Sequence, residues 1–207
     1  MPGPSTSHER TSGRPWDASY NDDRPAPWDI GRPQTAFVHV AEAGGFAGPV
    51  LDAGCGTGEH ALLAAASGAA VLGVDVAETA IARARAKAVE RGLDAEFAVA
   101  DAFELGRLGR TFESVLDCGL FHTFDEPERA RYVASLSSVT GTGATLFLLC
   151  FSDDAPAIGP HPIRQEELRA AFDHRSGWDV VSVEPSQIQT TFIESGVPAW
   201  FATIQRR

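Results

Sequence analysis

Asp52, Asp75 and Asp101 each stand at or near the end of a short apolar run, and the glycine-rich stretch Gly54-Cys55-Gly56-Thr57-Gly58 follows the first of them. A carboxylate in such a place can accept hydrogen bonds from hydroxyls or amines and can attract a cation. The glycines free the backbone to turn tightly against a ligand, and Ala61 to Ala66 then resumes with helix formers. Strand, glycine loop and helix follow one another in the order a nucleotide-like ligand needs.

The spacing decides which ligand. Dinucleotide loops use Gly-x-Gly-x-x-Gly to hold a pyrophosphate on helix amides, whereas here the spacing is Gly54-x-Gly56-x-Gly58, with Asp52 in front. A carboxylate there would repel phosphate and attract the ammonium and sulfonium of S-adenosylmethionine. Asp75, seventeen residues beyond Gly58, is placed to take two ribose hydroxyls, and Asp101 to accept from the adenine amino group. With ligands binding at the carboxyl ends of parallel strands, all three acids are expected to line one crevice.

Other reactive side chains lie past the fourth and fifth strands. His122 is the candidate general base for an acceptor hydroxyl or thiol; the alternative is a loop histidine bonded to backbone. Phe121 and Phe124, with Asp153 and His161 from the loop 152–162, are the expected acceptor pocket. Arg32 has two readings: a cation for an anionic acceptor or the cofactor carboxylate, or a pin holding its segment to an acid such as Asp29. Cys55, Cys118 and Cys150 sit near ends of apolar strands, reading as reduced core thiols, with no metal expected.

The elements that must position these groups alternate. The pattern predicts strands at 50–53, 70–75, 95–101, 112–117 and 144–151, and helices from Pro33, over 61–66, 77–91, 126–139 and 164–172. Gly141-Thr142-Gly143 reads as a turn. Strands at 178–183 and 198–205, with no helix clearly between them, read as an antiparallel pair at the sheet edge. The fold class is therefore α/β, a Rossmann-like doubly wound sheet of seven strands, mostly parallel, closing in a C-terminal antiparallel β-hairpin.

Upstream, residues 1–14 are polar and aperiodic and read as a disordered tail. Residues 15–32 hold Trp16, Tyr20 and Trp28 among Asp and Pro, an aromatic lid segment that closes over a ligand or packs on the core. Residues 33–207 form the binding domain. Lys and Arg number 17 against 28 Asp and Glu, a net charge of −11, which argues against a nucleic-acid partner. No apolar run has the length of a membrane span, and the expectation is a soluble cytoplasmic monomer or homodimer acting on a small molecule.

Taken as a set, Asp-Ala-Gly-Cys-Gly-Thr-Gly at 52–58, the acids Asp75 and Asp101 and the terminal hairpin resemble the class I S-adenosylmethionine-dependent methyltransferases over roughly residues 33 to 207. Pro27-Trp28-Asp29-Ile30-Gly31-Arg32-Pro33, preceded by Trp16 and Tyr20, is similar to the Trp-Asp-x-Gly-Arg motif of the thiopurine S-methyltransferase-like branch, which includes plant thiol and halide methyltransferases. The resemblance implies cofactor contacts from Trp16, Trp28, Gly54, Asp75, Asp101, Ala102 and Cys118, with Tyr20 where plant members have tryptophan. Arg32, Asp52, Gly56 and Val76 complete the expected cofactor set. Cys118 replaces an aromatic of the branch, and the C-terminal region departs further.

The reading that follows is a methyltransferase using S-adenosylmethionine on a small thiol, hydrosulfide or halide-type nucleophile. The alternative acceptor is the oxygen or nitrogen of a hydroxylated heteroaromatic metabolite. A more distant alternative is a binding protein without catalysis, or an NAD-dependent enzyme.

Overall fold

The computed structural model describes residues 6–22, 24–156 and 160–207. Its centre is one seven-stranded sheet in the order β3-β2-β1-β4-β5-β7-β6. The strands are β1 (Val50–Ala53), β2 (Val71–Asp75), β3 (Glu96–Val99), β4 (Phe112–Cys118), β5 (Thr140–Phe151), β6 (Trp178–Ile188) and β7 (Val197–Arg206). The first five pair in parallel, and β7 inserts antiparallel between β5 and β6. Parallel strands must be covered on both faces, which accounts for continuous apolar runs such as Leu146 to Cys150 in place of strict alternation.

The covering helices are α2 (Thr35–Glu42), α3 (Glu59–Ala66), α4 (Glu78–Arg91), α5 (Glu126–Ser137) and the short α6 (Gln165–Ala171). Two apolar clusters form on the two faces, one around Leu51, Val115, Leu136, Leu148 and Trp178, the other around Phe37, Leu62, Ile81, Phe97 and Leu149. Chain reversal between β2 and α4 keeps the helix start at the carboxyl ends of the strands, where the ligand end of such a sheet lies. No helix among the described residues is long and apolar enough to cross a membrane.

Two expectations need correction. Residues 6–14 are not a disordered tail, and residues 1–5 lie outside the described residues. Ser7–Ser12 form a helix, α1, with a capping box between Thr6 and Glu9 and Gly13 as its left-handed C-cap. Six polar residues cannot hold a helix alone; the support is tertiary. The Ser7 amide donates to Glu128 Oε1 at 2.8 Å, its hydroxyl to the Thr123 carbonyl at 3.0 Å, and Arg10 reaches Asp125 and Glu128 at the start of α5.

The second concerns the glycine turn at 141–143, which is no break before a strand. Pairing runs from Phe112↔Thr140 to Ser114↔Thr145, so β5 bulges across 141–144 and continues. Gly143, at φ +89°, supplies the backbone freedom this requires.

Candidate active site

A cavity of about 400 Å³ opens at the carboxyl ends of β1, β2, β4 and β5. Its floor is the glycine loop. Gly54 and Gly56 hold φ +71° and +52°, and a Cβ on either would stand 3.1 Å from the Leu120 side chain or 2.9 Å from the Tyr20 hydroxyl. Side chains there would fill the space over the loop, so bare backbone is what the site presents.

Asp75 ends β2 on the cavity wall. Its Oδ2 accepts the Gly56 N–H at 2.8 Å and its Oδ1 the Ala77 N–H at 2.9 Å. Each carboxylate oxygen accepts more than one hydrogen bond, so both keep capacity for a pair of vicinal hydroxyls. Burial pushes this carboxyl above its ordinary value, and the amides of Ala77, Gly56 and Val76 pull the other way. Val76, half exposed at 47%, and Ala102 present apolar surface on the same wall. Asp101 caps the 3₁₀ helix Ala102–Leu108 through Oδ1, accepting from Phe103 N–H at 2.8 Å, while Oδ2 has no partner among the described residues. A backbone floor, a carboxylate with spare acceptor capacity for a diol, an apolar slot and a second carboxylate with one oxygen unpartnered among the described residues fit S-adenosylmethionine.

Asp52 does not join them. It is 1% exposed and off the cavity wall, with Oδ2 accepting the Ala61 N–H of α3 at 2.9 Å. The register explains this: Asp52 pairs with Gly73, two positions short of Asp75 and the strand tip. Burial pushes its carboxyl up to about 7, and Oδ1 has no protein partner. The expectation that Asp52 faces the cofactor is therefore overturned by its placement, and near neutral pH its charge is only partial.

The N-terminal aromatics do reach the cavity. Trp16 stands edge-on to Trp28 with centroids 5.5 Å apart, and Trp28 Nε1 donates to the Tyr20 hydroxyl at 2.9 Å. Tyr20, only 4% exposed, packs with Ala26, Ala77 and Ala80 in a small cluster of its own. Arg32 is exposed at the cavity rim and forms no ion pair among the described residues. Asp29 accepts instead from the Thr57 hydroxyl at 2.9 Å, so the pin runs to the glycine loop and not to Arg32.

On the far wall stand Phe103, Thr123, Phe124, Phe151 and His122, with Cys118 at the end of β4. Burial holds the Cys118 thiol well above its ordinary range, so it is protonated. His122 Nδ1 accepts the Phe151 N–H at 2.8 Å and the ring stacks on Phe151 with centroids 4.3 Å apart. Because that amide can only donate, Nδ1 is bare and the proton sits on Nε2. Burial, helped by Arg129 and the imidazoles of His8 and His161, pushes the group down to about 3. The geometry thus gives His122 a donor's part, not the expected base's.

Three expected pocket residues lie elsewhere. Asp117 Oδ1 accepts from the amides of Leu120 and Phe121, and the 3₁₀ turn Phe121–Thr123 rotates Phe121 into the core, against Phe172 at 5.4 Å. Asp153 stands exposed on the turn closed by the Ala155 N–H to Ser152 carbonyl bond. His161 is exposed while Pro160 takes the wall; residues 157–159 of that loop lie outside the described residues.

Sequence reasoning missed several wall residues. Gln34 is 3% exposed, with its side-chain amide bonded to both backbone groups of Gln189, at 2.9 and 2.8 Å. His60 Nε2 accepts the Gln34 N–H at 3.1 Å, and burial pushes that imidazole down to about 4. His8, on α1, and Thr190 and Phe192, between β6 and β7, also line the cavity. Only the Thr6-x-x-Glu9 capping box advertised α1 in the sequence.

Sheet order and cavity together define a Rossmann-like protein with a nucleoside-type site at the carboxyl ends of its parallel strands. Residues 50–143 match a methyltransferase domain family. The chain is 37% identical over 166 residues, 78% of its length and 72% of the other's, to a 2-heptyl-1-hydroxyquinolin-4(1H)-one methyltransferase of Mycobacteroides abscessus. It is 27% identical over 154 residues, 73% of this chain and 67% of that one, to a probable thiol methyltransferase of Arabidopsis thaliana. A solved structure from work on the conversion of a disulfide bond into a thioacetal group in echinomycin biosynthesis superposes with a TM-score of 0.83, at 37% identity over 92% of this chain and 91% of that one. The chain belongs to the class I S-adenosylmethionine-dependent methyltransferases.

Proposed function

We infer that this enzyme methylates a small, flat, largely apolar acceptor through an ionisable ring hydroxyl or thiol, with a hydroxylated heteroaromatic the best fit. The observation that carries the reading is the far wall. Phe103, Phe124, Phe151 and the ring of His122 line it, and His122 Nε2–H is a fixed donor among them. A ring system covers such a wall; a halide or hydrosulfide would leave most of it facing water. Trp28, 39% exposed, and Phe192, 53% exposed, stand at the mouth and would cover an apolar substituent. The hydroxyquinolone relative acts on a molecule of that kind.

The cofactor, when bound, supplies a methyl group activated on a sulfonium. The chain's own work is to hold, align and dry the reactants. Asp75 and Asp101 fix the nucleoside, and the rings of Trp16, Tyr20 and Trp28 close over it as a lid. His122 remains neutral and donates to the acceptor's heteroatom, which keeps that atom oriented without quenching it by a full positive charge.

A second reading, a small thiol acceptor, is favoured by the free Arg32 cation at the rim and by the thiol methyltransferase relative. A screen with labelled cofactor separates them: 2-heptyl-1-hydroxyquinolin-4(1H)-one and thiophenol against hydrosulfide and iodide. Preference for the ring acceptors is expected. Turnover of hydrosulfide or iodide with none of the ring acceptors would overturn the reading.

A further inference from the structure

Three imidazoles stand on the cavity wall, and their ring nitrogens are not equally available. His122 Nδ1 is taken by the Phe151 amide, and His60 Nε2 by the Gln34 amide. His8 stacks on Trp16 with centroids 4.8 Å apart and planes 20° from parallel, and neither of its nitrogens has a hydrogen-bond partner among the described residues. Stacking occupies the face of a ring and leaves its edge open, so both nitrogens are free for whatever fills the cavity.

The helix that carries His8 is anchored on the acceptor's side. Its immediate neighbour Ser7 bonds to Thr123 and Glu128, and Thr123 directly follows His122. Asp75 and Asp101, which hold the nucleoside, belong to the β2 and β3 side of the sheet. The ring is thus set down where an acceptor's heteroatom would meet it, with His122 as the complementary donor.

We propose that His8 is the general base of the methyl transfer, accepting the proton of the acceptor's hydroxyl or thiol as that heteroatom attacks. The step balances: the O–H or S–H electron pair stays on the acceptor, which forms the bond to the methyl carbon. The old carbon–sulfur bond breaks with its pair kept by the cofactor sulfur. The proton ends on His8 and passes to solvent when the product leaves. The proposal rests on the reading above that the acceptor carries an ionisable O–H or S–H.

The surroundings suit this role. Burial pushes His8 below the ordinary imidazole value, the neighbouring His161 adds to that, and Glu9 opposes it; His122 faces it as well. A neutral imidazole at neutral pH has a lone pair to use, and its protonation, displaced to the acid side of the ordinary imidazole range, is expected to give the rate an acid limb.

The test compares wild type with His8→Gln and His8→Ala on 2-heptyl-1-hydroxyquinolin-4(1H)-one and thiophenol, with calorimetry of S-adenosylhomocysteine binding alongside. On the hydroxyl acceptor, below its own ionisation, the variants are expected to lose roughly 100-fold or more in kcat with a far smaller change in affinity for the demethylated cofactor, whereas thiophenol, already largely thiolate at neutral pH, should lose little. The loss should shrink as pH rises toward the acceptor's own ionisation, and free imidazole should restore part of the His8→Ala rate. Rates on the hydroxyl acceptor within a few-fold of wild type with an unaltered pH profile would overturn the proposal, as would a loss of cofactor affinity matching the loss of rate. If the wild-type chain methylates neither probe, the acceptor reading itself falls and His8's role with it, an outcome distinct from a base-free but active enzyme.

Discussion

Lys87 Nζ donates to the Thr57 hydroxyl at 2.7 Å, and the same hydroxyl donates to Asp29 Oδ1 at 2.9 Å. An ammonium has no lone pair, so Lys87 commits Thr57 to being its acceptor, and the single hydroxyl proton is directed to Asp29. A lysine on α4 thereby fixes the link between the glycine loop and the segment carrying Trp28. Thr57→Val is expected to weaken S-adenosylhomocysteine binding by about 1 kcal/mol, roughly fivefold, and Thr57→Ser to restore it. Equal affinities for valine and threonine by calorimetry would show that the link does not hold the lid.

Asp75→Ala is expected to be the most damaging single change to cofactor binding. It strands the Gly56 and Ala77 amides and, on the proposed reading, removes the acceptor for two ribose hydroxyls, at about 2–4 kcal/mol. Asp75→Asn keeps one acceptor atom and should fall between. Calorimetry showing near-wild-type affinity in Asp75→Ala would remove this residue from the site.

Asp52 makes the ligand-free protein less stable as pH rises. Its folded value, about 7, lies above the ordinary 3.8, so its stabilising contribution is complete below pH 3.8 and is lost as pH climbs through 7. At about 1.4 kcal/mol per pKa unit the difference is at most about 4 kcal/mol. Asp52→Asn should raise the Tm at pH 8 and change it little at pH 4. An equal shift at both values would mean that burial of the charge is not the cause.

His122 works in the opposite sense. Its folded value, about 3, lies below the ordinary 6.5, so the unfolded chain takes up the proton first and stability drains away as pH falls from 6.5 toward 3. His122→Asn should flatten that acid limb in melting curves followed by circular dichroism. An unchanged limb would assign acid unfolding to other groups.

Deleting residues up to Asn21 removes α1, Trp16 and Tyr20. Because Tyr20 belongs to a small cluster outside the two main ones, the Tm of the ligand-free protein should move by only a few degrees. Affinity for S-adenosylhomocysteine should fall about tenfold or more, consistent with about 1.4 kcal/mol or more of lost ring contact. Collapse of the apo protein with intact affinity in the survivors would make these aromatics ordinary core.

What was legible beforehand was whatever short patterns encode. Apolar runs ended by Asp75 and Asp101, the glycine loop and the helix-free stretch before β7 placed the sheet, and Gly54, Gly56, Asp75 and Asp101 do stand on the cavity wall. What was not legible depends on register and rotation. Asp52 resembles Asp75 in sequence, yet pairing with Gly73 sets it two residues too deep. Phe121 and His122 are neighbours, and only the amide bonds to Asp117 decide that the first turns inward and the second faces the cavity. His8 escaped notice because its helix draws its stability from Glu128, 121 residues from Ser7.

Gln34 and Gln189, joined by two hydrogen bonds across 155 residues, give the site a birth order. On the ribosome, the glycine loop and Asp75 emerge early, but the backbone that Gln34 clasps, and the Phe192 beside it, arrive only after six of the seven strands have been made. The cavity wall is therefore complete only once the segment after β6 has been translated. A truncated product ending before residue 189 would lack the backbone that Gln34 clasps, and its first segment would be held only by ties such as Asp29 to Thr57 and Ser7 to Glu128.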